Sequence, residues 1–133
     1  MNVLFICRYN KFRSKLAEAF FKKYTNKHSA KSAGIIKGSA VDDKIKACGS
    51  RNGVKLGGVS QSITVPLLRW YDIMVIVADD VPRSLFADNW EKYGKKLEHW
   101  KIPDTEDDNV KEQDRIAKLI EKRIKKLISQ ISK

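Results

Sequence analysis

The stretch Asn2-Val3-Leu4-Phe5-Ile6-Cys7-Arg8-Tyr9-Asn10-Lys11-Phe12-Arg13-Ser14 decides how this chain folds. Its first half is a short, nearly continuous apolar run, which predicts a strand over residues 2–7 buried on both faces. Just beyond it, Leu16, Ala17, Phe20, Phe21 and Tyr24 fall on one stripe at helical spacing, which predicts a helix over about 14–27. Residues 7–14 therefore join the end of a strand to the start of a helix. Unpaired amides and the helix dipole make such a junction attractive to anions. A loop whose successive N–H groups curl around one point forms a phosphate-sized nest.

Each side chain in that loop has a chemistry suited to the nest. The positive surroundings favour Cys7 as a thiolate, the nucleophilic form of the side chain. Arg13, six residues on, can fold back and hold two phosphate oxygens with its planar fork. Ser14 can donate a hydrogen bond to the sulfur, and Asn10 tolerates left-handed backbone while tying the loop through its amide. Arg8, Tyr9, Lys11 and Phe12 complete the candidate phosphate-binding loop. The plain alternative is a buried Cys at a strand end beside a solvated Arg.

Outward from this segment, strand and helix patterns alternate. A strand is expected over about Ser29–Ala33, closing at Gly34, followed by a helix over about Asp42–Asn52 with Asp42 as N-cap and Gly53 as stop. Asp72 to Ala78 reads as a buried strand. Pro82 sits near the first turn of an expected helix that ends before Gly94, and Lys96 to Ile102 reads as a last strand. From about Asp107, Ile116, Leu119, Ile120, Ile124, Leu127, Ile128 and Ile131 recur at three and four residues with Lys and Arg between them. This basic amphipathic helix would suit a membrane surface or a calmodulin-like partner, but packing onto the chain's own sheet is the simpler reading. The order implies one α/β domain over residues 1–133: three layers, a four-stranded parallel sheet with helices on both faces. Ligands of such sheets sit beyond the carboxyl ends of the strands.

Composition narrows the function classes. A hydrophobic content of 42% and charged content of 32% over 133 residues describe a globular chain able to bury its own core. The absence of a long apolar run or a basic leader points to the cytoplasm. Two cysteines, Cys7 and Cys48, are too few for a disulfide framework, and His28 and His99 have no partner at metal-ligand spacing. The net charge of +11 attracts phosphorylated substrates, and it would equally suit weak nucleic-acid binding.

The loop of Cys7, five residues, Arg13 and Ser14 resembles the phosphate-binding signature of the low-molecular-weight protein tyrosine phosphatases. The similarity extends through Leu16-Ala17-Glu18-Ala19-Phe20, Ser32-Ala33-Gly34, Asp72 to Val77 and Pro103-Asp104. The resemblance implies the phosphotyrosine protein phosphatase I-like fold and hydrolysis of a phosphomonoester through a phosphocysteine intermediate. It implies neither metal nor cofactor. It makes Asp104 the general acid that protonates the leaving oxygen as the P–O bond breaks, ahead of the nearby Asp107 and Asp108 because Pro103 stiffens the approach to it. Tyr9 stands where the family usually has Gly, and Phe12 where many relatives have a second Cys. Thr105 and Glu106 follow Asp104 where Pro and aromatics are common, and Ile35-Ile36-Lys37-Gly38 lacks an aromatic to flank a substrate ring. The substrate is accordingly left open among phosphotyrosine, phosphoarginine and small phosphate esters.

Three other readings use the same residues. Thioredoxin-coupled arsenate reductases share the fold and loop but relay a disulfide through further cysteines, and only Cys48 is present here. A sugar-phosphotransferase carrier must keep its phosphate, which Arg13 and Asp104 would discharge. A basic nucleic-acid-binding module would need a stacking platform, and no aromatic-basic cluster resembles one.

Overall fold

The computed structural model describes residues 1–86, 95–106 and 108–133. Strand β1 (Asn2–Cys7) pairs in parallel with β2 (Ser29–Gly34) on one side and β3 (Ile73–Val77) on the other, and β4 (Lys96–Trp100) pairs in parallel with β3. The resulting order is β2-β1-β3-β4. Helices α1 (Arg13–Tyr24), α2 (Asp43–Arg51), α3 (Val65–Trp70) and α4 (Val110–Ile131) complete the described regular structure, together with a 3-10 turn over Arg83–Phe86.

The two central strands are apolar on both faces because both faces are covered. Val3 and Phe5 of β1 and Ile73, Val75 and Val77 of β3 pack under α1, α2 and α4. Leu4 and Ile6, with Met74 and Ile76, pack on the other face against Leu67, Tyr71 and Phe86. Three layers result, as expected. The basic amphipathic helix is α4, and Ile116, Ala117, Ile120, Ile124 and Leu127 are buried in the same core as Phe20 and Phe21 of α1. Most of its apolar stripe is thus taken up by the domain's own packing, with Leu119 left exposed.

Boundaries differ from the sequence expectation where caps intervene. Helix α1 stops at Tyr24, and Thr25 turns extended while its N–H bonds Phe21 O. Helix α4 starts at Val110, because the Asn109 side chain accepts from Glu112 N and caps it there. Asp42 caps α2 as expected by accepting from Ile45 N. Helix α3 was not expected. Its six residues are too few for a periodic stripe, although Thr64 caps Leu67 N and Pro66 sits in the first turn. Of the helix expected between Pro82 and Gly94, the turn over Arg83–Phe86 is present, and residues 87–94 lie outside the described residues. Among the described residues, no helix is long and apolar enough to cross a membrane.

Candidate active site

The site forms where β1 ends, at the carboxyl edge of the sheet. The loop after Cys7 is held from outside through its carbonyls. Ile35 N donates to Cys7 O, Ile36 N to Arg8 O and Gly38 N to Tyr9 O, at 3.1, 3.0 and 3.2 Å. Ser60 Oγ donates to Asn10 O at 3.1 Å. All these peptides are trans. In a planar trans peptide the following N–H points opposite to the carbonyl, so the amides of residues 8 to 11 turn to the inside of the curve. This is the donor arrangement of an anion nest. The outer strap lies very close. A Cβ on Gly34 would stand 2.7 Å from Ile36 O and 2.8 Å from Asn10 N, and one on Gly38 would stand 2.7 Å from Tyr9 O. Only glycine fits at these two positions.

Inside the loop, a buried hydrogen-bond chain leads to the sulfur. Asn10, the single described non-glycine residue at positive φ (56°), donates through Nδ2 to both Ser14 Oγ and Ser32 Oγ, each at 2.9 Å. Gln61 N donates to Asn10 Oδ1 at 3.0 Å, which fixes the orientation of the amide. Ser32 Oγ in turn donates to Glu18 Oε1. Ser14 Oγ lies 2.9 Å from Cys7 Sγ. Because Asn10 already supplies a hydrogen to Ser14, the serine's own hydroxyl hydrogen is left to point at the sulfur, which as a thiolate can only accept.

Arg13 is 2% exposed, so the reading of a solvated Arg beside a strand-end Cys is set aside. Its Nη1 donates to Ile102 O at 3.0 Å and its Nη2 to Asp80 Oδ1 at 2.9 Å. Asp79 Oδ1 stands 3.5 Å from Nη1 and Asp104 Oδ2 3.6 Å from Nη2. A guanidinium held in the plane by a backbone carbonyl and carboxylates from two loops has little freedom left. Arg8 also reaches Asp80, at 3.8 Å.

These groups border a cavity of about 180 Å³. Cys7 and Arg13 line it, and Tyr9, Lys11 and Phe12 form the loop side. Asp104 and Thr105 approach from the segment after β4, with Ile45 of α2 and Gln113 of α4. Asp104 is half exposed, and its Oδ1 accepts from Thr105 N at 2.9 Å. Asp108 instead borders a neighbouring groove with Lys44 and Glu106, and Asp107 lies outside the described residues. Tyr9 stands at the rim with the Arg8 guanidinium 5.2 Å from its ring centre. Arg8, Asn10 and Ser14 belong to the loop without lining the cavity.

Cys48 sits apart, fully buried in α2 beside Asp114 and Asn52. Burial, aided by the Asp114 charge, pushes its thiol up to about 11. His99 is tied to Ala78 O, and His28 lies between the N-terminus and Ser132, where desolvation lowers its proton affinity. Asp79 and Asp80, which embrace Arg13, are not among the site residues singled out from the sequence. Their position at the carboxyl end of an apolar strand was the available signal. Ser32, Glu18, Gln61 and Ile102 carried no such signal.

The fold is shared with enzymes of known structure. An arsenate reductase from Archaeoglobus fulgidus is 26% identical, with 96% of this chain and 98% of that chain covered at a TM-score of 0.74. A protein tyrosine phosphatase from Entamoeba histolytica is 23% identical, with 99% and 97% covered at a TM-score of 0.87. An arginine phosphatase from Geobacillus stearothermophilus is 18% identical, with 98% and 92% covered at a TM-score of 0.81. The last two likenesses establish the fold alone. No curated protein matches the sequence. The profile of the low molecular weight phosphotyrosine protein phosphatases matches residues 2–133, nearly the whole chain, and this chain belongs to that family.

Proposed function

We propose that this chain is a cytoplasmic phosphatase in which Cys7, Arg13 and Asp104 carry out the hydrolysis of a phosphomonoester. The observation that carries the assignment is their convergence on one cavity: a sulfur hydrogen-bonded to Ser14, a guanidinium fixed by Asp80 and Ile102 O, and a carboxyl group 3.6 Å from that guanidinium. The phosphoryl group sits in the curve of residues 8–14, where inward amides and the Arg13 fork bind its oxygens. The Cys7 thiolate attacks phosphorus, forming the S–P bond as the P–O bond breaks, and Asp104 passes its proton to the departing oxygen. A water then attacks phosphocysteine. Its proton goes to the Asp104 carboxylate, the S–P bond breaks, and the thiolate leaves, stabilised by the Ser14 hydroxyl. Arg13 stabilises charge on the equatorial oxygens in both steps.

Purified protein is expected to hydrolyse para-nitrophenyl phosphate at an undiminished rate in EDTA. Cys7→Ser should abolish turnover, and Asp104→Asn should lower kcat by about a hundredfold or more while inorganic phosphate still binds. Full activity in Cys7→Ser would overturn the mechanism.

Arsenate reduction through a cysteine relay is disfavoured by Cys48. A relay needs a thiolate that can be reached, and this thiol is buried and held protonated at physiological pH. Arsenate reduction abolished by Cys48→Ala, with phosphatase activity kept, would reverse that judgement.

A further inference from the structure

The cavity holds one cation that the hydrolysis does not use. Lys11 and Arg13 are its two positively charged lining residues among those described. Arg13 already has anionic partners of its own: Asp79, Asp80 and Asp104 stand within 3.6 Å, and with Ile102 O they hold its fork in place for the phosphate oxygens. Lys11, by contrast, makes no ion pair within 4.0 Å among the described residues. It is half-buried. Its stem is confined by the outer strap, since a Cβ on Gly38 would stand 2.9 Å from Lys11 Cγ. The side chain thus lies against the strap at Cγ, and the residue lines the space a substrate must fill. A half-buried charge without a partner carries a desolvation cost that an incoming anion can offset.

Resting on the phosphatase reading above, we propose that Lys11 is a specificity-determining residue that pairs with a second negative charge on the substrate. The favoured substrate is then a phosphomonoester bearing another anionic group beside the ester, whether a carboxylate on a small molecule or an acidic side chain next to a phosphorylated residue. The phosphate itself is accounted for by the loop amides and Arg13. A second anion pairs with Lys11 at little entropic cost, because the strap already limits the stem. Elsewhere in the lining Thr105 adds a polar side chain, while Tyr9, Phe12 and Ile45 offer apolar surface to the body of the ester.

The test compares phenyl phosphate with 3- and 4-carboxyphenyl phosphate, in the wild type, Lys11→Gln and Lys11→Arg. Substitution in the loop will alter both reactions, so the readout is the ratio of losses, in which leaving-group chemistry cancels. Lys11→Gln should lower kcat/KM for at least one carboxylated ester by about five- to tenfold more than for phenyl phosphate. The excess should reside in KM, and Lys11→Arg should restore most of it. Equal losses on all esters would overturn the role of Lys11 and leave the phosphatase reading intact. No hydrolysis of any ester by the wild type, with clean folding by circular dichroism, would overturn both. A phosphotyrosine peptide flanked by Glu, set against its Ala-flanked counterpart, separates the sources. Charge preference there assigns the second anion to a phosphoprotein, and preference confined to the small esters assigns it to a metabolite.

Discussion

Asn10 is fully buried at φ 56°, and each polar atom of its side chain is engaged: Nδ2 by Ser14 and Ser32, Oδ1 by the amide of Gln61. A buried amide satisfied in this way locks the direction of every hydrogen bond that follows it, including the one from Ser14 to Cys7. Ser14→Ala should therefore lower kcat for para-nitrophenyl phosphate by about tenfold to a hundredfold. That is the size of one charge-assisted hydrogen bond, and circular dichroism should be unchanged. An unaltered kcat would show that the sulfur needs no help from the serine. Cys7, Arg13 and Ser14 were legible in the sequence because their spacing is local, set by one loop. Asp79 and Asp80 were not, because nothing along the chain announces that a carboxylate 67 residues away will close on Arg13.

At the scale of elements, the apolar runs and helical stripes announced all four strands, α1, α2 and α4. The short helix α3 escaped because six residues hold less than two turns of periodicity. One inter-helix tether is testable on its own. Arg51 of α2 donates to both oxygens of Asp114 of α4, and Asn52 adds a third donor. The Arg51 guanidinium thereby holds the Asp114 carboxyl below the usual carboxylate range. A group that binds its proton less tightly when folded stabilises the fold while it is ionised. This contribution is full above about pH 4, the ordinary Asp value, and is lost as pH falls through the lower folded value. The pair is partly solvated, so Asp114→Asn should cost no more than about 1 kcal/mol, roughly 3 °C in Tm at pH 7. The gap from the wild type should narrow towards pH 3. A gap that persisted at pH 3 would remove ionisation of Asp114 as its cause.

Over the whole molecule, the net charge of +11 favours the approach of the dianionic phosphomonoester proposed as substrate. Its field should raise encounter rates at low ionic strength and fade once the screening length falls to about 10 Å near 0.1 M salt. Between about 0.02 and 0.5 M KCl, kcat/KM for para-nitrophenyl phosphate is expected to fall several-fold, mainly through KM. A flat profile would confine the electrostatics to the cavity itself. The amino-acid sequence by itself determined a parallel α/β sheet and a phosphate-sized loop on its first crossover. Apolar periodicity and a strand-to-helix junction are properties of neighbouring residues and survive in one dimension. Only the tertiary structure decided how Arg13 is caged, which aspartate borders the cavity, and that Lys11 is left unpaired among the described residues. Those outcomes depend on contacts such as the one between Arg13 and Ile102, 89 residues apart, and on desolvation that exists only once the layers have closed.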